Sequence, residues 1–361
     1  MAPAHPQAAF KNPRAGVPGS TSRHVRSSQR GEVVEVVLII LAVTSGLWAA
    51  IEVLLRVLLG FGNPLIYIAD AECGYLLAPN QKVRRLGNRI EINEYSMRSG
   101  AIAPIPPPET LRVLLLGDSV ANGGWWTHQT DTISEIMARD LRLQIQNLAS
   151  DAQLDSQVNY SDFEVLNASA NSWGPRNQLA YAKRFGVFGA NAVVLLLNTD
   201  DFFASAPCPL VVGRDRSYPA RKPRSATLEL LSRYLLPAVP TPELAAPGAK
   251  SGDVVGCNLE AVRQIQKIAV SANVEFLLAV TPKRGEFGGP GPRDWEVKAR
   301  ARLAELVETE KITYIDFLPI FNCGAELPTL YRDSIHLSPQ GNQLVSKTIS
   351  RQIVALFWHK S

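Results

Sequence analysis

The stretch "VLLLGDSVANGG", Val113 to Gly124, sets four apolar residues directly before Gly117-Asp118-Ser119 and follows them with a glycine pair. An apolar run of that length bounded by glycine reads as a buried strand that breaks into a tight turn. A serine there is either a nucleophile or a small turn residue, and the stretch alone leaves both open. What separates them is whether the chain supplies a base, because a serine hydroxyl at its free pKa is a poor nucleophile.

The chain has five histidines. His5 and His24 lie in a basic leader and His359 adjoins the C-terminus, which leaves His128 and His336. His336 stands in "YRDSIHLSPQGNQL", three residues after Asp333 and just before Ser338-Pro339, an N-cap followed by proline at the first helical position. A carboxylate and an imidazole one turn apart form a base with a fixed tautomer without help from a third element. His128, in "WWTHQT", has no similarly spaced carboxylate before it, so His336 is the favoured partner of Ser119.

The 361 residues carry a net charge of +4, with 46% hydrophobic and 19% charged residues, which describes a folded chain. Residues 1–32 read as a disordered basic leader: Lys11, Arg14, Arg23, Arg26 and Arg30 are met by no acidic residue before Glu32. Segment 33–60 reads as a transmembrane signal anchor. Its core, "VVLIILAVTSGLWAAIEVLLRVLL" from Val36 to Leu59, is long enough to cross a hydrocarbon layer of about 30 Å. Glu52 and Arg56 share one helical face near its end, where they can pair or snorkel. Bulky Leu47 and Trp48 before Ala49-Ala50 argue for an uncleaved anchor. Basic residues ahead of the span place the N-terminus in the cytoplasm and the remainder outside, which in a bacterium is the periplasm.

Residues 61–110, ending in "AIAPIPPPET", read as a stalk or lead-in with short strands. From 111 to 361 strands alternate with helices. Strands are expected at Arg112–Leu116, Phe163–Asn167, Ala192–Leu197, Val274–Val280 and Ile312–Asp316. Helices are expected around Thr132–Ile145, Asn177–Phe185, Leu259–Ser271, Trp295–Glu310 and from Pro339 to the C-terminus. That alternation gives an α/β domain whose parallel sheet is covered on both faces. An insertion at 203–256 carries Arg214, Arg216, Arg221, Lys222 and Arg224, and reads either as a lid over an acidic or sugar substrate or as a solvated loop. Cys208 and Cys257 bracket this insertion and either staple it as a disulfide or remain separate thiols alongside Cys73 and Cys323. No dinucleotide turn, phosphate loop or zinc-ligand spacing is present, so no cofactor or metal is implied and no nucleic-acid partner is expected.

Gly117-Asp118-Ser119 after a first strand and Asp333-Ser334-Ile335-His336 before the last helix resemble the SGNH/GDSL hydrolase superfamily across about Leu111 to Phe357. "EVLLRVLLG", "CGYLLAPNQ" and "INEYSMRSG" are similar to the membrane-anchored bacterial members. The resemblance implies a three-layer sandwich with a five-stranded parallel sheet, flavodoxin-like in strand order. It implies Ser119 as nucleophile, His336 as general base and then acid, and Asp333 as its orienting partner. The oxyanion hole would be the Ser119 amide with the second and third family blocks. "LNASANSWGPRNQ" fits the second block with Ser172 at the glycine position. "LLLNTDDFF" fits the third with Asp200 where an asparagine donor belongs, and Asn198 as the alternative donor. The implied activity is removal of O-acetyl or other small acyl groups from carbohydrate, with polysaccharide O-acyl transfer or a weakly catalytic glycan-binding scaffold as alternatives. Trp125, Trp126 and Trp173 are candidate sugar contacts and Asp316 a turn or cap residue. The natural ester and the oligomeric state are left open.

Overall fold

The structure is a computed structural model that describes residues 21–150, 160–237, 252–287, 290–323 and 329–358. Most of the leader, including His5, therefore lies outside the described residues, as do His359 and the middle of the insertion. The chain divides into two units, Met1–Val53 and Leu54–Ser361.

The first unit is built on helix α1, Thr21–Leu54. The helical stretch Arg30–Leu59 is long and apolar enough to cross a membrane, and none of its apolar window is buried in protein. The chain is anchored by this single span. Helix begins at Thr21, inside the leader read as disordered: once the apolar run is helical, a serine- and arginine-containing extension adds one backbone bond per residue without a new nucleus.

In the second unit the elements are β1 (Tyr67–Asp70), β2 (Gly74–Leu77), β3 (Gln81–Arg85), β4 (Asn88–Ile92), β5 (Thr110–Gly117), α2 (Ser119–Asn122), α3 (Ile133–Ser150), β6 (Asp162–Ser169), α4 (Pro175–Phe185) and β7 (Ala192–Asn198). They continue with α5 (Ala226–Leu230), α6 (Val254–Ser271), β8 (Glu275–Thr281), α7 (Asp294–Thr309), β9 (Thr313–Asp316), α8 (Phe317–Asn322) and α9 (Pro339–Trp358). Five strands form one parallel sheet in the order β6-β5-β7-β8-β9, the flavodoxin-like order the sequence implied.

Alternation along β5 explains the two covering layers. Leu114 and Leu116 face a core shared with α4, α6 and α7, while Leu111, Val113 and Leu115 face one shared with α3, α8 and α9. Every residue of β5 and β7 is buried, which is why both read as continuous apolar runs.

Segment 61–110 is not a free stalk. It folds into two antiparallel hairpins, β1–β2 and β3–β4, whose Tyr67, Leu76, Leu77, Val83, Ile90 and Ile92 join the core on the α4 side of the sheet. Its Arg98 is fully buried. The guanidinium donates to the carbonyls of Asn122 (2.6 Å), Gly124 and Thr127 (2.5 Å), all in the loop behind Ser119, and the Arg98 amide donates to Asn167 O at 2.9 Å. Burial lowers the Arg98 pKa to about 9, so it still carries its charge at neutral pH. A cation surrounded by carbonyl dipoles rather than a carboxylate thus clamps the turn that carries the serine.

Arg98→Met keeps the stem but strands three carbonyls in a dry interior, at about 1–3 kcal/mol for each group left unpaired. We expect the melting temperature of the detergent-solubilised chain to fall by roughly 5–15 °C, measured by scanning calorimetry. A shift under about 2 °C would contradict the clamp.

Candidate active site

β5 ends where a side chain no longer fits: a Cβ on Gly117 would stand 2.4 Å from Ala121 Cβ and 3.1 Å from the Leu196 carbonyl oxygen. Asp118 caps the following turn by accepting from Val120 N–H at 2.8 Å, and Ser119 opens α2 at the carboxyl edge of the sheet. Asn122 Nδ2 donates to Ser169 O at 3.1 Å and Asn167 Nδ2 to Ala121 O at 2.8 Å, which ties α2 to the end of β6.

On the far side of the sheet edge, Ser338 caps α9 by accepting from Gly341 N–H at 3.1 Å, as its sequence position indicated. The preceding turn is closed by Asp333, whose Oδ1 accepts from the amides of Ile335 (3.0 Å) and His336 (2.8 Å). Asp333 Oδ2 lies 2.8 Å from His336 Nδ1, and His336 Nε2 lies 2.9 Å from Ser119 Oγ. Burial alone would raise the Asp333 pKa; the two amides and the imidazole outweigh it and hold the carboxyl below its ordinary value. An ionised Asp333 favours the tautomer with the proton on Nδ1, so Nε2 is left to take the proton of Ser119. His128 sits elsewhere, capping the turn Gln129–Asp131 with Nδ1 facing Thr130.

These groups lie in an open cleft of about 720 Å³, walled by Tyr75, Trp126, Asn171, Ser172, Phe203 and Tyr218 among others. Ser172 has φ +58°, so it keeps the left-handed backbone that glycine adopts freely, and its N–H donates to no backbone carbonyl among the described residues. Trp126 packs edge-on against His336, with ring centroids 4.5 Å apart. Arg332 lies over Trp125 and Trp126, at 5.4 and 5.1 Å from their ring centres. Trp173 does not reach the cleft: it is fully buried and donates from Nε1 to Tyr75 O at 3.0 Å.

The end of β7 resolves differently from its sequence reading. Asn198 Nδ2 donates to Asp118 Oδ2 at 2.8 Å and reaches Asp201 Oδ2 at 3.4 Å, while its Oδ1 accepts from the Asp200 amide at 2.8 Å. Both ends of Asn198 are engaged within the protein. Asp200 turns to Lys283 Nζ at 2.8 Å, and Glu296 meets the same ammonium at 3.3 Å. Burial alone would lower the Lys283 pKa; the two carboxylates reverse the sign and raise it. Asp201 is buried beside Asp118, and burial, then the Asp118 charge, pushes its carboxyl well up. Asp118 is raised by burial and held back by the Val120 amide and His336, so the upward shift is the stronger at Asp201. Asp316 is the expected cap, accepting from Leu318 N–H at 2.9 Å.

The insertion is divided. Ser205, Cys208, Asp215, Ser217 and Tyr218 wall the cleft, but Arg216, Arg221, Lys222 and Arg224 line a different groove. The cationic lid reading is thereby corrected. So is the staple, since Cys208 and Cys257 are free thiols, as are Cys73 and Cys323. Burial raises the Cys73 thiol to about 12.

Sequence reasoning missed Arg98, Lys283 and the Asp118–Asn198–Asp201 cluster. For the last, the run Asn198-Thr199-Asp200-Asp201 at a strand end was the available signal, since asparagine and aspartate cap turns there.

The carboxyl edge of the parallel sheet thus carries a serine, a histidine and an aspartate in hydrogen-bond sequence, and the family match makes the chain a hydrolase of the class that acts on ester bonds. The chain belongs to the GDSL-like lipase/acylhydrolase family, whose sequence model matches residues 115–344. No curated protein sequence matches it. Among solved structures it is similar to Axe2, an acetylxylan esterase from Geobacillus stearothermophilus, with 12% identity, 67% of this chain and 93% of that chain covered, and a TM-score of 0.42. It is also similar to a member of the lipolytic protein G-D-S-L family from Veillonella parvula DSM 2008, with 10% identity, 67% and 97% coverage, and a TM-score of 0.38.

Two outcomes follow from the cluster and from Ser172. A carboxyl whose folded pKa lies above its unfolded value of about 3.9 contributes fully below that value and loses the contribution as pH rises toward the folded pKa. Asp201→Asn has no proton to lose, so its melting temperature relative to the parent should rise between about pH 4 and pH 8; a constant difference would contradict a protonated Asp201. Ser172→Gly relieves a left-handed serine and should stabilise the chain by up to about 1–2 kcal/mol in urea unfolding while leaving ester turnover within about twofold.

Proposed function

We propose that Ser119 is the nucleophile of an acyl-serine esterase that removes O-acetyl or other small acyl groups from carbohydrate on the extracytoplasmic side of the membrane. The observation that carries the proposal is the unbroken relay from Ser119 Oγ through His336 to Asp333, at 2.9 and 2.8 Å, on the floor of an open cleft.

In this reading His336 Nε2 takes the hydroxyl proton as Oγ attacks the ester carbonyl. The tetrahedral oxyanion is held by the amides of Ser119 and Ser172. The proton passes from His336 to the departing sugar hydroxyl, and water, deprotonated by the same imidazole, releases the acid and regenerates Ser119. Asp333 keeps the ring oriented and stabilises the imidazolium. Asn198 acts through Asp118 as a positioning residue rather than as the oxyanion donor. Asp200 is tolerable near the oxyanion because Lys283 meets its charge.

Support for a carbohydrate ester comes from the cleft lining. Trp126, Phe203 and Tyr218 line it with aromatic rings and Asn171, Ser172 and Ser217 with small polar groups, a mixture that suits a sugar ring. The open shape admits a chain as well as a small ester. The topology rests on the charges: basic residues precede the span, and Asp70 and Glu72 follow it.

The test is to treat the detergent-solubilised chain with a fluorophosphonate and, separately, with an activated acetyl ester. Labelling should map to Ser119, and Ser119→Ala and His336→Ala should each lower turnover about 10⁴–10⁶-fold. Labelling elsewhere, or turnover unchanged in Ser119→Ala, would sink the reading. Release of acetate from an acetylated glycan, lost in the same variants, tests the substrate class. Lys283→Met should slow turnover about tenfold by exposing the Asp200 charge, and adding Asp200→Asn should recover most of that loss; additive effects in this double-mutant cycle would remove the compensation argument.

A further inference from the structure

A groove remote in role from the cleft is lined by Arg216, Arg221, Lys222, Arg224, Leu228 and Leu231, with a volume of about 660 Å³. Behind it, α5 runs on as a wider helical turn, Leu231–Leu235. One side of this helix is built into the protein: Ala226 and Glu229 are buried and Leu230 packs with Leu55 and Phe61. The other side, Leu228, Leu231, Tyr234 and Leu235, is exposed, with Leu228 at 60% and Leu235 at 70%. Spacings of three and four residues place these side chains on one stripe.

That stripe has a fixed relation to the point where the chain leaves the membrane. The span ends at Leu59, and Gly62 N–H donates to Glu229 Oε2 at 2.6 Å. Glu229 Oε1 is paired with the buried Arg85 at 2.7 Å, and Arg85 lies over the Phe61 ring at 3.8 Å. Arg56, in the last turn of the span, donates to Arg224 O at 2.9 Å. The helix is therefore tied to Arg56 in the span and to Gly62 just past it by hydrogen bonds, and to β3 by the buried Arg85–Glu229 pair, whose Arg85 also donates to Gly60 O at 3.3 Å. Its apolar stripe and the exposed cations Arg221, Lys222 and Arg224 face outward beside that junction, and those three form no salt bridge among the described residues.

We infer that this surface seats on the anionic headgroup layer of the same bilayer that the helix spans, with Leu228, Leu231, Tyr234 and Leu235 dipping into the interface and Arg221, Lys222 and Arg224 meeting phosphates. Continuity with the anchor and charge complementarity both select the lipid surface as occupant. An amphipathic helix with a leucine and tyrosine face and flanking cations is the composition that binds such an interface. Each cation brought to an anionic surface strengthens attachment about fivefold. The groove holds the catalytic domain at a set height above the membrane without contributing a group to the ester chemistry.

The experiment uses the full chain, one copy per nanodisc, in discs of phosphatidylcholine alone or with about a third phosphatidylglycerol, read by amide hydrogen exchange. Exchange across Thr227–Leu236 should be about tenfold slower in the phosphatidylglycerol discs, and raising the salt should erase the difference. Leu231→Glu with Leu235→Glu should abolish the protection, and Lys222→Glu with Arg224→Glu should abolish its lipid dependence. In all of them exchange in α4 and fluorophosphonate labelling should stay as in the parent, which separates loss of seating from loss of fold. Equal exchange in both lipids overturns the inference, because it means that the chain's own residues cover the stripe or that nothing does. Protection found only in discs holding two copies overturns it in favour of a second chain.

Discussion

There is no room for a side chain between the end of β5 and the first turn of α2. Gly117 passes so close to Ala121 and to the Leu196 carbonyl that the strand must stop and the helix must start within two residues. That compression projects Ser119 out of the sheet edge while its neighbour Asp118 stays buried. The remaining parts of the site are arranged around this point: α9 brings His336 from 217 positions downstream, β6 pins α2 from beneath, and Arg98 clamps the loop beyond it. Each contact is made by a different segment, so the serine is held by tertiary packing and not by the short helix that carries it.

Much of the architecture was legible because it is periodic. β5, β6, β7 and β8 are buried on both faces and stand out as apolar runs, and their observed limits fall within two residues of those expected. The juxtaposition of Ser119 with His336 was legible because Asp333 and His336 lie within one turn and the histidines are few. What escaped was structure without a sequence period. β3 and β4 are five residues each, and β3 buries only Val83 and Arg85, so nothing along that segment announces a core element. Arg98 bonds to carbonyls, which every residue has, and its partners leave no trace in composition. Trp173 and Trp126 each stand within two residues of a glycine, yet the first fills the core and the second lines the cleft, a difference set by tertiary packing.

The basic insertion illustrates the same division. Its charge was visible, and its emergence near the sheet edge suggested a lid. The chain resolves the insertion into a neutral and acidic part that walls the cleft and a cationic part turned toward the end of the membrane span. Emergence near the sheet edge placed the cations near the substrate; the structure puts them in a separate groove, with Arg224 O accepting from Arg56.

Three carboxyl groups crowd the ends of β5 and β7, and each is handled by a different physical means. Asp200 points to Lys283 and surrenders its field to an ammonium whose own pKa rises in return. Asp201, buried against Asp118, has its carboxyl pushed well up by burial and then by the Asp118 charge, with one asparagine donor shared between the two. Asp118 is the member with compensation available, from the Val120 amide and from the neighbouring His336. An acyl-transfer transition state places one new negative charge above Ser119, and a site with three unanswered carboxylates would oppose it strongly. The raised Asp201, the Lys283 ammonium beside Asp200 and the Val120 amide on Asp118 each temper the negative field at this edge of the sheet.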